Sequence, residues 1–348
     1  LGRDITAFTG WPVTVLGSRE FNFYHGAVAS HQEEHSRLSV FYAMAQGQCK
    51  VIAATVEGLL QRTLSPQELE EHVVTICQGG SYDPTQLADA LSALGYTRCD
   101  QVEGVGQFAL RGGILDVYSP AQDHPVRVEF WDTDVDSMGL FDITTQRRVG
   151  LLDKAVFLPV REVLPQRQED GSWQQVPDHQ LPQRYPVSHT AVHHLPPDAV
   201  VCLSESSRVA ERAKTWLWQL DEDVKTLVES GVSLGRHATF ALTFPHLMEE
   251  LQQFPLCFLD SFTTSSLPLA PMAMFNAQGR QLSSFGANLD SAAADLTQLQ
   301  SANTGAIVLV GSEQQALNLQ AMLRERKIRS AVDFQLHELP APGAITIA

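Results

Sequence analysis

The stretch GQFALRGGILDVYSPAQDHPVRVEFWDTDVDSMGLFDITTQR, residues 106–147, alternates apolar and polar side chains between Gly, Pro and Asp positions. Such alternation, bounded by turn-forming residues, predicts short β-strands joined by tight turns. Within VRVEFW the apolar residues share one face of the predicted strand, because side chains alternate across a strand. Arg127, Glu129 and Trp131 share the other face. The stretch therefore predicts a small sheet with one side facing a core.

The polar side of this strand admits two interpretations. Arginine and tryptophan are enriched among residues that dominate protein interfaces, which favours a docking patch at Arg127 and Trp131. In the alternative, a helix predicted over 84–94 covers Trp131, and Arg127 pairs with Glu129. The Arg-Gly-Gly at 111–113 is a single copy inside an apolar strand pattern. It favours a bulge or close backbone packing over an RNA-binding tract.

Helix and strand patterns alternate on the N-terminal side of this sheet. VTVL (13–16) predicts a strand and KVIAAT (50–55) a buried strand. Between them RLSVFYAMAQ has apolar residues at helical spacing, followed by Gly47, which can end a helix. SPQE, with Ser65 as the cap, predicts a helix start, and so does YDPT, with Asp83 as the cap.

The C-terminal side is again mixed. Residues 164–198 are rich in Pro, Gln and His, and predict an irregular linker or surface loop. Next come a strand (DAVVCL), a long amphipathic helix ended by Gly231, a short helix (PHLMEELQQF) and a strand (PLCFLD). From residue 285 onwards a helix and a strand precede a second helix, which begins at a capping box formed by Ser312 and Gln315.

Composition narrows the class of protein. The 348 residues include 24 basic and 40 acidic side chains, for a net charge of −16. Phosphate contacts need a basic face, so this balance disfavours non-specific DNA binding and favours a protein partner. The five cysteines form no C-x-x-C motif, which indicates a reducing cytoplasm. No apolar run reaches the roughly 20 residues that span a bilayer, and both ends look cut, as in a fragment.

One short motif raises the possibility of a zinc enzyme. SHQEEHSRLS (30–39) matches H-x-x-E-H through His31, Glu34 and His35, the pattern of an inverted zinc-peptidase site. Such a site needs both histidines one turn apart on a helix, and a third protein ligand. In a chain with 12 histidines, the pattern favours a polar run that leads into a helix.

Other candidate sites are weaker. His189, His193 and His194 lie between prolines, which predicts a surface loop rather than a metal site. No phosphate-binding G-x-x-x-x-G-K-[ST] and no G-x-S-x-G nucleophile elbow occur in the sequence. The residues therefore indicate no catalytic centre.

Residues 106–147 resemble the second domain of bacterial transcription-repair coupling factors, which is shared with the excision-repair protein UvrB. The matching positions are Arg111, Gly112, Asp116, Tyr118, Arg127, Glu129, Phe130, Phe141 and Asp142. Residues 19–62 resemble the end of the family's first α/β domain, which places HQEEH at a loop-to-helix entry where the family binds no metal. Too few residues separate NFYHG from RLSVF for the DNA-gripping hairpin of UvrB.

The resemblance implies a multidomain α/β fold: a UvrB-like split α/β domain with an inserted small α+β domain, followed by part of a further α/β domain. The first and last domains are expected to be truncated. The implied segments are residues 1–78 for the first half of the split domain, 79–155 for the inserted domain, 156–284 for the second half with its irregular linker at 164–198, and 285–348 for the start of the third domain.

The resemblance also implies a function. The module is expected to recruit UvrA to stalled RNA polymerase in transcription-coupled nucleotide excision repair, without catalysis of its own. In the family UvrA binds an exposed strand face through two arginines and an aromatic, at positions that match Arg111, Arg127 and Trp131. The family's own C-terminal domain masks this face until the motor engages DNA.

The resemblance also implies which cofactors to expect. The family's polymerase-binding and DNA-binding parts, and the motor that uses ATP and magnesium, lie outside these residues, so we expect no cofactor here. Two alternatives stay open. One is a UvrB-type damage-binding subunit, and the other is a zinc peptidase acting through His31, Glu34 and His35.

Overall fold

A computed structural model describes residues 2–23, 30–234, 238–261, 267–276, 289–336 and 338–348. The chain divides into two compact units, residues 1–272 and 273–348. The loop expected before HQEEH, at 24–29, and the expected boundary between residues 284 and 285 both lie outside the described residues.

The first elements of unit 1–272 alternate between helix and strand, as predicted. They are α1 (Gly2–Thr9), β1 (Val13–Leu16), α2 (Gln32–Ala45), β2 (Val51–Ala54), α3 (Val56–Leu60), β3 (Arg62–Thr63), α4 (Pro66–Glu71) and β4 (Val74–Cys77). β1 and β2 are parallel neighbours, and β2 is half-buried rather than buried. Helix α4 begins where SPQE predicts, because the Ser65 side chain accepts a hydrogen bond from the Glu68 N–H.

Next come helix α5 (Pro84–Ala93) and a six-stranded sheet. The strands of the sheet are β5 (Thr97–Arg98), β6 (Gln107–Arg111), β7 (Ile114–Val117), β8 (Val126–Trp131), β9 (Asp134–Phe141) and β10 (Arg148–Leu151). The strand order is β10-β9-β8-β7-β6-β5, and only β5 and β6 pair in parallel. The β6–β7 turn needs its glycines, because Gly112 has a φ of +59° and a Cβ on Gly113 would lie 2.8 Å from the Phe130 carbonyl oxygen.

The inner face of this sheet packs on α5. Asp83 caps the helix by accepting hydrogen bonds from the N–H groups of Thr85 and Gln86, and Gly95, with a φ of +93°, follows its end. Each large apolar side chain buried here contributes roughly 1.5–3 kcal/mol. The main members of this core are Leu87, Leu91, Phe108, Leu115, Val117, Val126, Val128, Phe130 and Met138.

The segment after the sheet corrects one prediction. It contains β11 (Lys154–Phe157), β12 (Gln166–Arg167), β13 (Trp173–Gln174), α6 (Leu181–Arg184) and β14 (His189–Thr190), with 3-10 turns at Asp178–Gln180 and Ala191–His194. The sequence predicts an irregular linker or surface loop over 164–198. The elements there are short, but the surface location is wrong for part of the segment, which contributes to the core that includes α2. Its buried members there are Val176, Leu181, Tyr185 and Ala191. Isolated apolar residues between prolines give no periodic signal, although tertiary packing buries them.

The α/β domain is split around the sheet, which confirms the predicted fold class. The chain returns through β11, which pairs antiparallel with β4, and β14 then pairs with β3. Further along, the Arg62 N–H donates a hydrogen bond to the Phe240 carbonyl. Residues of α3 share one apolar cluster with side chains beyond residue 190.

The last part of this unit is a strand–helix–helix–strand crossover. It comprises β15 (Val201–Ser204), α7 (Ser206–Glu229), α8 (Phe244–Leu251) and β16 (Leu256–Leu259). β15 and β16 pair in parallel, and Asp260 binds the Ser206 N–H at the start of α7. Gly231, with a φ of +93°, follows the end of α7 as predicted. Within the described parts of the chain, no helix has both the length and the apolarity to cross a membrane.

Unit 273–348 has a small parallel sheet with helices. Its elements are α9 (Leu289–Ser301), β17 (Ala306–Val308), α10 (Glu313–Glu325), β18 (Ala331–Val332) and β19 (Ile345–Ile347), with strand order β17-β19-β18. Ser312 accepts a hydrogen bond from the Gln315 N–H at the start of α10, which confirms the cap. The reciprocal half of the predicted capping box is absent, because the Gln315 side chain accepts from the Gly311 N–H instead. Its core includes Ala293, Leu296, Ala316, Leu323, Ile345 and Ile347.

Candidate protein-docking face

The six-stranded sheet has a second side, which we call the outer face. Across β6 to β9 the register aligns Arg111, Ile114, Glu129 and Ser137 in one row. A neighbouring row holds Ala109, Asp116, Arg127 and Gly139. Because paired residues in register point to the same side, both rows lie on the outer face. Trp131 lies further along the same side of β8.

Asp116 is the buried centre of the outer face, with an exposed fraction of 2%. Arg127 donates two hydrogen bonds to its carboxylate, from Nε at 2.7 Å and from Nη2 at 2.9 Å. Arg111 Nη2 lies 3.5 Å from the same carboxylate. The hydrogen bond to Asp116 raises the pKa of Arg127, against the lowering effect of burial. One carboxylate therefore aligns both arginines on the same side of the sheet.

Arg127 is held on two further sides. Its guanidinium carbon lies 4.4 Å from the centroid of the Phe141 ring, a cation–π contact. Its Nη2 also donates to Gln146 Oε1 at 2.9 Å. The side chain is 21% exposed, so it presents one edge to solvent from a fixed position.

A short turn after β9 delivers Gln146 to this position. Asp142 Oδ1 accepts hydrogen bonds from the Thr145 N–H at 2.7 Å and from the Thr145 hydroxyl at 2.8 Å. These bonds lower the pKa of Asp142. Gln146 itself has a φ of +57°, which lets the chain reverse into β10. Phe141, Asp142, Thr145 and Gln146 thus form one structural unit beside Arg127.

Trp131 is the prominent apolar group of the outer face, with 81% of its surface exposed. It lies at the end of β8, opposite Asp134, where Asp132 with a φ of +59° starts the turn into β9. The alternative in which a helix covers Trp131 is therefore wrong. The alternative pairing of Arg127 with Glu129 is also wrong, because the register places Arg127 beside Asp116.

The sequence analysis did not single out Arg148 and Ile114 as members of the outer face. Arg148 Nη2 donates to Ser137 Oγ at 2.9 Å and to Glu129 Oε1 at 3.3 Å. Ile114 is exposed beside Arg111. The alternation within ILDV, combined with a two-residue turn at 112–113, could have placed Ile114 and Asp116 on this side. The sequence alone does not show on which side of the sheet Arg148 lies, because the pairing register of β10 shifts between Arg148 and Gly150.

The H-x-x-E-H motif lies at the start of α2. The helix begins at Gln32, so His31 precedes it, and the ring centroids of His31 and His35 are 6.2 Å apart. Within the residues that the structure describes, no three His, Cys, Asp or Glu side chains are grouped as metal ligands would be. The carboxylate of Glu34 is occupied by protein donors.

These donors make Glu34 part of an ion network. Its carboxylate accepts the Glu162 N–H at 2.6 Å, and lies 3.0 Å from His31 Nδ1 and 3.2 Å from Arg161 Nε. Burial favours a raised pKa for Glu34, but Arg19, the His31 hydrogen bond and Arg161 outweigh it and hold the pKa well below its usual range. The Glu34 carboxylate therefore connects α2 to the segment that leaves the sheet.

The second histidine cluster is only partly at the surface. His194 is buried, its Nε2 lies 3.1 Å from the Leu64 carbonyl oxygen, and its ring stacks on Phe41 at 4.3 Å. Burial lowers the pKa of His194 to about 4. The prediction of a surface loop is therefore wrong for His194. His193 Nδ1 accepts the Thr190 N–H at 3.1 Å, which fixes the turn that holds His194 in place.

The region that contains the sheet matches a known protein family. Residues 74–162, which include the whole outer face, match the family described as the UvrB interaction domain. The chain is 25% identical over 363 residues to the transcription-repair-coupling factor of Bacillus subtilis (strain 168), covering 92% of the chain and 30% of that protein. It is 24% identical, over an alignment of 385 residues, to the transcription-repair-coupling factor of Staphylococcus aureus (strain MRSA252). This alignment covers 99% of the chain and 32% of that protein.

These similarities confirm the predicted resemblance to the N-terminal region of transcription-repair coupling factors. The similarity extends over nearly the full chain, so it includes the split α/β domain as well as the sheet. The chain spans about a third of the length of the curated relatives it matches. What those proteins do as a whole therefore bears on this chain only through the parts that it shares with them.

Proposed function

We propose that this chain is the non-catalytic N-terminal region of a transcription-repair coupling factor, and that its outer face binds UvrA. The observation that supports the proposal is the combination of an 81% exposed Trp131 with two arginines oriented by the buried Asp116. The match of residues 74–162 to the UvrB interaction domain supports the same assignment.

The chemistry of the outer face suits a protein partner. A tryptophan buries about 150–250 Å² of surface when covered, and its indole N–H can still find an acceptor. Arg111 and Arg127 add guanidinium groups whose attraction to an acidic surface increases the rate of association. Arg127 is already rigid, so binding costs little of its side-chain entropy. The expected partner surface is therefore an apolar pocket with acidic residues at its rim.

The proposal is tested by calorimetry with purified UvrA. Trp131→Ala removes the exposed anchor, and we expect affinity to fall by about 30-fold, the effect of a hot-spot loss near 2 kcal/mol. Arg111→Glu, at a side chain that is 55% exposed, should reduce affinity as well. Trp218→Ala is the matched control, because Trp218 is 62% exposed on α7, away from the sheet. If the folded Trp131→Ala and Arg111→Glu proteins bind UvrA as tightly as the wild type, the outer face is not the UvrA-binding site.

Charge reversal at Arg127 is a less informative test of docking than the substitutions at Trp131 and Arg111. A charge reversal there would place two carboxylates against each other at a buried position, because Arg127 neutralises Asp116. Loss of binding in that variant would not separate docking from folding. Arg127→Lys is the better choice, since it keeps the charge and removes the paired donors that align with the carboxylate.

In the wider process, we propose that UvrA binding here links stalled RNA polymerase to nucleotide excision repair in the bacterial cytoplasm. ATP hydrolysis, polymerase binding and DNA translocation are assigned to parts of the parent protein outside these residues, together with the C-terminal domain that masks the outer face. A gel shift with damaged and intact DNA tests the alternative of a UvrB-type subunit. Tight binding of the isolated chain to damaged DNA would favour that alternative, which the net charge of −16 opposes.

A further inference from the structure

Two of the five cysteines face each other on neighbouring strands. In the parallel pair of β15 and β16, Cys202 is the register partner of Cys257. Both side chains are exposed, and both cysteines are free thiols in this structure. The residues on either side of Cys202 are more buried, as alternation along a strand requires.

The backbone geometry fits a covalent bond between them. Adjacent strands lie about 4.7–4.9 Å apart, and disulfides join Cα atoms that are about 4.4–6.8 Å apart. Register partners point to the same side of a sheet, so the two sulfur atoms leave the strands in the same direction. Disulfide formation here needs a rotation of side chains and no change in strand pairing.

The two thiols also affect each other's chemistry. Burial raises the pKa of Cys202, and the neighbouring Cys257 raises it further. The raised pKa keeps most of the Cys202 population protonated at neutral pH.

We propose that Cys202 and Cys257 form a reversible dithiol–disulfide pair that responds to oxidation by low-molecular-weight disulfides. One thiolate attacks the small disulfide, forms a mixed disulfide and releases one small thiolate. The second thiolate then attacks the protein sulfur of that mixed disulfide, forms the Cys202–Cys257 bond and releases the second small thiolate. The two protons lost by the cysteines pass to the two departing thiolates, so the protein loses two hydrogen atoms and gains no adduct.

The bond would constrain one defined part of the fold. The chain between the two cysteines contains α7 and α8, so the disulfide closes the crossover that joins β15 to β16. Closing a long loop restricts the unfolded chain and stabilises the folded state. Oxidation should therefore raise the midpoint of thermal unfolding of this region. The inference is independent of the proposed UvrA binding, since the outer face belongs to other strands.

The test is thiol counting and peptide mapping after equilibration with oxidised and reduced glutathione. We expect a cross-linked peptide pair that contains Cys202 and Cys257, with no glutathione retained on either of them, whereas an exposed thiol without a cysteine partner, such as Cys77, keeps any glutathione adduct that it forms. Reduction should restore all five thiols. Oxidation should become faster as the pH rises, because the thiolate is the attacking species.

Matched variants separate the possible outcomes. Cys202→Ser should leave Cys257 as a stable glutathione adduct and remove the thermal stabilisation. Cys77→Ser should oxidise like the wild type, because Cys77 is an exposed thiol whose strand partner is Lys154 rather than a cysteine. Five thiols after oxidation, glutathione adducts on both cysteines, or cross-links only between different chains would each overturn the proposal.

Discussion

At the scale of single residues, Asp116 determines what the outer face can do. It is a buried carboxylate whose charge is balanced by Arg127 and approached by Arg111. A buried carboxylate without such partners would be costly, and an arginine without an acceptor would move freely in solvent. The same pairing therefore stabilises the sheet and positions the side chains that we expect to meet a partner.

Substitution of Asp116 tests this dual role. Asp116→Asn keeps the shape but removes the charge that orients Arg127, so we expect unfolding free energy to fall by about 1–3 kcal/mol. Urea denaturation measures the change, and UvrA affinity should fall in parallel. Asp132→Asn is the control, because Asn tolerates the φ of +59° at that exposed turn. Equal stability of the two variants would contradict the role assigned to Asp116.

His194 gives a pH-dependent prediction at the same scale. Its pKa is about 4 in the folded chain and 6.5 in the unfolded reference, so the unfolded chain binds more protons between these values. Stability should therefore fall as the pH drops from 6.5 to 4, by up to about 3 kcal/mol from this residue. Urea denaturation across this window measures the slope, and His194→Phe should reduce it. A variant with the same slope as the wild type would contradict the prediction.

At the scale of elements, the close approach of β9 and β10 explains the glycine at position 139. Gly139 lies on the outer face in the row of Arg127, and a Cβ there would come within 2.3 Å of the Gly150 carbonyl oxygen. Backbone atoms cannot move aside as a flexible side chain does. The register shift in β10 brings the two strands together at this point, and it places Arg148 over the outer face.

Alanine at these two glycines should have unequal effects. Gly139→Ala should destabilise the protein by about 1–3 kcal/mol, because β10 must move away from β9. A Cβ at Gly150 would have no neighbouring atom within 4 Å, so Gly150→Ala should be close to neutral. Thermal unfolding and amide exchange of residues 148–151 measure both. Equal effects of the two substitutions would show that the close approach is absent in solution.

At the scale of unit 1–272, a buried ion network joins the α/β region to the chain that leaves the sheet. Glu162 accepts a hydrogen bond from Arg37 Nε at 2.7 Å and lies 3.5 Å from Arg19 Nε. Arg19 in turn pairs with Asp178 at 2.8 Å. All four side chains are buried and come from distant parts of the sequence. The network therefore fixes how the two halves of the split domain meet.

Removal of one carboxylate should weaken this junction. Glu162→Gln leaves two buried guanidinium groups without its charge, so we expect a loss of about 3–5 kcal/mol in urea denaturation. Glu129→Gln is the matched control, since Glu129 forms an exposed pair with Arg148 and should change stability by less than about 1 kcal/mol. A similar small effect from both substitutions would contradict a structural role for the network.

The sequence alone determined the local structure of this chain. Period-2 alternation and turn residues are local properties, so the strands at 107–141 and the caps at Ser65, Asp83 and Ser312 could be predicted. Alternation also placed Arg127 and Trp131 on one side of a strand, while Arg111 was added by the resemblance to the family. These features depend on residues close together along the chain.

Only the tertiary structure decided which residues meet. The pairing of Arg127 with Asp116, the burial of the segment at 164–198 and the approach of Cys202 to Cys257 depend on register and on contacts between distant segments. The H-x-x-E-H motif shows the same limit, because Arg161 and Glu162 reach Glu34 from more than a hundred residues away. Local patterns fix the direction in which a side chain points, while long-range packing fixes what it contacts.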